Sequence, residues 1–180
     1  MIMGKNIFVT VGTTKFPKLL DTIIKNELLR TFIKLGYDFI QIQTGKDIYK
    51  PPDAISREIT KVGDSMVLKL DKITIKYDSY IENFEEEILK SDFVISHAGA
   101  GTCLEVLKAK KPLLVVINED LMNNHQIELA EELQNNGYLY YSTCDSLINV
   151  LEKDFSALTV YPNPDTLAFS EYLNKSMGYV

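Results

Sequence analysis

Ser96-His97-Ala98-Gly99-Ala100-Gly101-Thr102 puts minimal side chains where an apolar run, Phe93 to Ile95, hands over to a helical pattern. Small residues let the backbone approach a bulky anion, and the free N–H groups of a first helical turn can point at it. Thr102 can cap that helix or donate its hydroxyl to a phosphate oxygen. Glu105 follows near the end of the first turn, where a carboxylate can accept hydrogen bonds from two neighbouring hydroxyls of a ribose. Asn123-Asn124-His125-Gln126 forms a second cluster at the start of another helix. Amide and imidazole groups offer donors and acceptors without net charge, which suits the hydroxyls and acetamide of a sugar. N-capping needs only one of the four, so His125 or Gln126 is left for ligand contact.

Other candidates are weaker. Gly12-Thr13-Thr14 is a possible phosphate turn, but it lacks the lysine and spacing of a P-loop and the three glycines of a dinucleotide fingerprint. His97 and His125 are candidate general bases, although a lone histidine at a strand end is more often a hydrogen-bonded structural group. Lys46 is a surface lysine with a low prior for phosphate pairing. No His/Cys/Asp cluster has metal-ligand spacing, so the sequence requires no metal site and no cofactor and leaves divalent-metal dependence open, and no Gly-x-Ser-x-Gly elbow occurs.

The elements that must position these residues alternate along the chain. Ile7 to Val11 and Leu113 to Ile117 have the near-continuous apolar character of buried parallel strands. Asp38 to Gln43 is another strand, ending in Thr44-Gly45-Lys46, and Met66 to Tyr77 holds one or two more. Leu19, Leu20, Ile23, Ile24, Leu28, Phe32 and Leu35 recur at helical spacing after Pro17, and predict one helix closed by Gly36. Further helices are expected around Ile81 to Leu89, over Thr102 to Lys110 with Leu104, Val106 and Leu107 buried, around Ile127, Ala130 and Leu133, and at Leu147 to Leu151. Tyr138 to Tyr141 is a short last strand. This alternation predicts an α/β fold: a Rossmann-like parallel sheet with helices on both faces. Ligands of such sheets bind at the carboxyl ends of the strands, here Gly12–Thr14, Thr44–Lys46, His97–Thr102 and Asn118–Gln126.

Composition narrows the function classes. The 180 residues suit a single domain, and a 46% apolar fraction is that of a globular chain. A net charge of −6 without a basic block argues against a nucleic-acid or polybasic membrane surface. The longest apolar run, Leu113 to Ile117, is far below the roughly 20 residues of a membrane span. With no hydrophobic signal core before the first strand and only Cys103 and Cys144, the expected compartment is the reducing cytosol, with both thiols buried as small apolar groups.

Val9-Thr10-Val11-Gly12-Thr13-Thr14, Gln41-Ile42-Gln43-Thr44-Gly45, Ile95 to Thr102, Glu105 and Asn123 to Gln126, in this order, resemble the C-terminal, donor-binding domain of family 28 glycosyltransferases. The pattern sits nearest to the soluble subunits of the two-chain UDP-N-acetylglucosamine transferases of dolichol-linked glycan assembly, and covers roughly residues 5 to 140 and then the tail. The resemblance implies the nucleotide-sugar half of a GT-B architecture. It implies transfer of N-acetylglucosamine from UDP-N-acetylglucosamine, the donor substrate, to dolichyl-diphosphate-N-acetylglucosamine, with inversion. Gly99, Ala100, Gly101 and Thr102 would meet the diphosphate, Glu105 the ribose, and His125 and Gln126, with Asn123 and Asn124 beside them, the sugar; Gly12, Thr13, Thr14 and Gly45 would line the cleft.

The resemblance further implies a membrane-anchored partner that carries the acceptor-binding half and holds the chain on the cytosolic face of the endoplasmic reticulum. The chain would divide into a nucleotide-sugar domain, residues 1–160, and a linker with a docking helix, residues 161–180. Leu167, Phe169, Tyr172, Leu173 and Met177 are its candidate docking face. Two alternatives stay open: the donor half of a bacterial-type two-chain exopolysaccharide or capsule transferase, and a non-catalytic nucleotide-binding module.

Overall fold

The computed structural model describes residues 4–46, 49–52, 58–70, 72–120 and 124–163, except the side chains of Asn124 and His125. The β-branched run at the start forms β1 (Lys5–Thr10). After a turn come α1 (Pro17–Ile23) and α2 (Asn26–Lys34), then β2 (Tyr37–Gln43). A hairpin of β3 (Ile59–Val62) and β4 (Ser65–Lys69) leads to β5 (Thr74–Asp78). The second half is α3 (Phe84–Lys90), β6 (Phe93–His97), α4 (Ala100–Lys108) and β7 (Leu113–Ile117), then α5 (Asn124–Asn135), β8 (Tyr140–Thr143) and α6 (Leu147–Leu151), with one 3-10 turn at Phe155–Ala157.

The eight strands form one sheet in the order β3-β4-β5-β2-β1-β6-β7-β8. The pairings from β5 through β2, β1, β6 and β7 to β8 are parallel, and β3 and β4 add an antiparallel edge. The α/β expectation therefore holds for the six-strand body and is extended by the hairpin. Alternation along the strands sorts the core into two layers. Ile7, Val9, Ile40, Ile42 and Ile95 face α1, α2 and α6, while Phe8, Val94, Leu113 and Val115 face α3, α4 and α5. β6 and β7 are buried over their whole length, the polar Ser96 and His97 at the end of β6 included. Removing an aromatic or aliphatic side chain of this kind from water is worth about 1.5–3 kcal/mol. Phe8, with no exposure and edge-on to Phe84 at 5.4 Å, is one such anchor.

Several local expectations are corrected. The helix expected from Leu19 to Leu35 is two helices, because Lys25 is extended and its N–H bonds the Thr22 carbonyl at 3.1 Å. Thr22 adds to the break by turning its hydroxyl back onto the Lys18 carbonyl at 2.6 Å, a contact that competes with helical continuation. Leu104 is only half-buried, and Ile127 is exposed; Cys103 takes the core position on α4 instead. β3 was not expected, although Ile59-Thr60-Lys61-Val62 followed by Gly63-Asp64 is a hairpin pattern. Among the described residues no helix is long and apolar enough to cross a membrane. The candidate docking residues Leu167, Phe169, Tyr172, Leu173 and Met177 lie outside the described residues.

Candidate functional site

The parallel body brings the turns after β1, β2, β6 and β7 to one rim of the sheet. The β1 turn is closed by the Thr14 N–H and hydroxyl, both donating to the Val11 carbonyl at 3.1 and 2.8 Å. Beneath it, Thr10 Oγ1 accepts from the Gly12 N–H at 3.0 Å and donates to Gln43 Oε1 at 3.1 Å. Thr10 and Gln43 are buried, so this polar relay replaces water that cannot reach them. Thr13 is exposed on the rim, and Gly12 and Thr14 are half-buried.

Gly45, in the β2 turn, has φ +84 and is buried under the β1 turn. It therefore supports Thr14 from below. Lys46 is exposed. A cavity of about 200 Å³ opens beside this pair of turns, with Lys15, Asp21, Thr44 and Tyr49 in its lining. A smaller groove of about 90 Å³ lined by Leu107, Tyr138 and Val160 lies at the amino ends of β7 and β8, away from the rim.

The β6 turn holds the central feature. α4 begins at Ala100, with Gly99 as its N-cap and no side chain capping the end. The cap reading for Thr102 is thereby corrected: it is the third helical residue, half-buried, and its N–H belongs to the uncapped first turn. The N–H groups of Ala100, Gly101 and Thr102 have no intrahelical acceptor, and the helix dipole gives them a partial positive charge. Ala100 and Gly101 are exposed. A Cβ built on Gly101 would meet nothing within 4 Å, so no described residue makes use of the space. Glu105 is the sixth residue of α4, past its expected place near the end of the first turn because the helix starts at Ala100 and not Thr102, and is exposed.

His97 ends β6 at 8% exposure. Burial pushes its pKa down, opposed by the Thr10 backbone, and its Nδ1 has no hydrogen-bond partner among the described residues. The ring lies between Gly12 and Gly99: a Cβ on Gly12 would fall 2.7 Å from Cε1, and one on Gly99 2.4 Å from Nε2. This favours the structural reading of His97 over a solvent-facing general base. Burial pushes the Cys103 thiol up to about 12, so it is an inert core group, and Cys144 is likewise buried.

In the β7 turn, Asn118 is buried; its Oδ1 accepts from the Asp120 N–H at 3.2 Å and its amide reaches the Lys15 carbonyl at 3.5 Å. Asn124 and His125 open α5 and Gln126, half-buried, follows; Asn123 and the side chains of Asn124 and His125 fall outside what is described. Among the described residues no three His, Cys, Asp or Glu side chains converge as a metal site. The sequence reading set Thr10 and Gln43 in its motif stretches and Asn118 in a ligand-facing turn but gave none of them a role; their signal was a polar residue at or beside the end of a buried strand.

Comparison with known proteins places the chain in a family. The sequence model of the glycosyltransferase family 28 C-terminal domain matches residues 6–171, and the chain belongs to that family. It is 41% identical over 140 residues to the Homo sapiens UDP-N-acetylglucosamine transferase subunit ALG13, covering 78% of this chain and 11% of that protein. The Mus musculus relative of the same name is similarly covered at 11% of its length, so the chain spans about a tenth of these two proteins. The relative of that name from Cryptococcus neoformans is 30% identical over 193 residues, with 96% of each chain covered. The NMR solution structure of ALG13 superposes with a TM-score of 0.68 at 26% identity, covering 96% of both chains. The crystal structure of Acinetobacter baumannii MurG, at TM-score 0.62, 20% identity and 88% of this chain against 44% of that one, shares the fold.

Proposed function

We propose that the chain is the donor-binding subunit of an N-acetylglucosaminyltransferase. It takes the sugar from UDP-N-acetylglucosamine and delivers it, with inversion, to dolichyl-diphosphate-N-acetylglucosamine. The observation that carries this reading is the uncapped start of α4, with exposed amides at Ala100 and Gly101 and a free approach over Gly101, in a chain of the family 28 C-terminal domain. The names of the ALG13 relatives supply the donor, and the word subunit supplies the need for a second chain.

In this reading the amides of Ala100, Gly101 and Thr102 bind the diphosphate and stabilise the charge that grows on UDP as the glycosidic bond breaks. Glu105 takes the ribose hydroxyls, and the start of α5, from Asn124 to Gln126, takes the sugar. Thr13 and Thr14 close the near side. The acceptor hydroxyl and the base that deprotonates it come from across the cleft, on a membrane-anchored partner. That partner would hold the chain at the cytosolic face of the endoplasmic reticulum, with residues 161–180 as the docking segment.

The test is reconstitution. The full chain, co-expressed with a membrane-anchored partner, is expected to move labelled N-acetylglucosamine from its UDP donor to a lipid-diphosphate-N-acetylglucosamine acceptor, with neither chain active alone. A thermal shift adds a simpler readout: UDP at 100 times its Kd stabilises by about 2.7 kcal/mol. A shift with NAD and none with UDP would overturn the proposal.

A further inference from the structure

We propose that His97 is a positioning residue for the donor diphosphate. Its imidazole sets the spacing between the β1 turn and the start of α4, and Gly99 is glycine because of that ring rather than because of the ligand. The inference rests on the reading of this rim as the donor site.

Three observations carry it. First, one ring meets both turns: added Cβ atoms on Gly12 and Gly99 would come to 2.7 and 2.4 Å from it, while Gly101, two residues further on, has open space. Secondly, Gly99 has φ −85 and ψ 121, an extended conformation that any residue adopts, so its backbone does not demand glycine. At Gly12 the φ of +60 already disfavours a side chain, which makes Gly99 the diagnostic position. Thirdly, the residue is buried at 8% exposure, so the ring has little room to turn away. Its main chain is held as well: the His97 carbonyl accepts from the Gly99 N–H at 2.8 Å and the Ser96 hydroxyl at 2.9 Å.

The consequence for binding is geometric. Amides aimed at an anion act at full strength only if they are held in place before it arrives. Here the imidazole is the solid spacer that holds the amides of Ala100 to Thr102 at a fixed distance from Thr13 and Thr14. A side chain at 99 pushes the ring and spreads the two turns; a smaller residue at 97 removes the conflict.

The experiment is a double-mutant cycle on the full chain, with UDP as probe, reading the ligand-free thermal midpoint and the UDP affinity by calorimetry. Gly99→Ala is expected to lower the midpoint and to weaken UDP by about tenfold or more, ~1.4 kcal/mol. His97→Asn, which keeps a polar group near Nδ1 but withdraws the far edge of the ring, is expected to weaken UDP with a smaller change in midpoint. The double variant is expected to match His97→Asn alone in both readouts. Gly101→Ala, the control, leaves the midpoint at or above the original, and its effect on UDP is unchanged by His97→Asn.

Losses that simply add in the double variant would overturn the inference, because Gly99 would then serve the ligand's approach. So would a folded His97→Asn chain that binds UDP as the unaltered chain does. If His97→Asn does not fold, His97→Ser with Gly99→Ala replaces it; a double variant less stable than the single serine variant by as much as Gly99→Ala costs on its own is then the overturning result. An unaltered chain that gives no heat with UDP would instead defeat the donor-site reading, while the midpoints alone still report the coupling of 97 and 99.

Discussion

Gly45 lies directly beneath the Thr14 carbonyl: a Cβ added to it would stand 2.4 Å from that oxygen. The β2 turn therefore carries the β1 turn, and the residue that joins them has φ +84. Gly45→Ala suffers both the contact and the left-handed backbone, and is expected to cost about 1–3 kcal/mol by urea unfolding. Gly63→Ala is the comparison. Gly63 has φ +63 but nothing within 4 Å, so it suffers the backbone strain alone and is expected to cost less. Equal losses at the two sites would mean that the turns do not bear on each other.

Glu105 is exposed, and its carboxylate makes no hydrogen bond or ion pair among the described residues. Glu105→Ala is expected to leave stability within about 0.5 kcal/mol. Hydrogen bonds to a charged group are worth about 1.5–3 kcal/mol, so the same change is expected to weaken UDP by roughly 10- to 100-fold. Calorimetry with UDP and with a uridine diphosphate lacking the ribose hydroxyls separates the two roles. Unchanged UDP affinity counts against the ribose assignment.

Asp78, at the end of β5, gathers three donors: Gln41 Nε2 at 2.6 Å, Lys76 Nζ at 2.8 Å and the Ser65 hydroxyl. It ties β2, β4 and β5 together next to the β2 turn. Gln41 is buried, so removing its acceptor strands a buried amide. Asp78→Ala is expected to destabilise by about 1–3 kcal/mol, read from the denaturation midpoint. Asp78→Asn keeps one acceptor and is expected to lose less.

Acid sensitivity should come in two windows. Burial pushes the His97 pKa down against the Thr10 backbone, so between its native value and the ordinary value of about 6.5 the unfolded chain binds the extra proton. Stability from this group is full above that range and falls as pH drops through it. For Asp78, burial raises the pKa, but the hydrogen bonds from Lys76, Ser65 and Gln41 and the Lys76 charge outweigh it and hold the carboxyl low. Its contribution is present above the ordinary carboxylate value of about 3.9 and is lost as pH falls further. Chemical denaturation at stepped pH is expected to show both slopes, with the upper one missing in His97→Asn and the lower one shallower in Asp78→Ala.

Much of this architecture was legible in the sequence because it is written in long, buried, β-branched runs. Phe93 to Ile95 and Leu113 to Ile117 could be little else than central strands, and the small residues after the first of them marked the turn that leads into the uncapped start of α4. What escaped notice depends on contacts between distant segments. Periodicity alone ran Leu19 to Leu35 together, since the break at Lys25 is made by hydrogen bonds and not by a proline or glycine. Ile127 fits a buried stripe by spacing, yet α5 turns it outward. Gly12 and Gly99 were read as openings for a ligand. Nothing in the one-dimensional pattern says that the imidazole two residues before Gly99 fills the space both of them leave.

The sheet order has a consequence for how the chain is made. β1 lies between β2 and β6, and Ile7 registers against Phe93 in a strand that leaves the ribosome more than eighty residues later. The first glycine turn must wait for His97 to arrive before its neighbour is in place. A nascent chain halted after β5 would carry a half-open sheet, with the β6 edge of β1 unpaired and Phe8 without the α3, α4 and α5 layer that covers it in the finished fold.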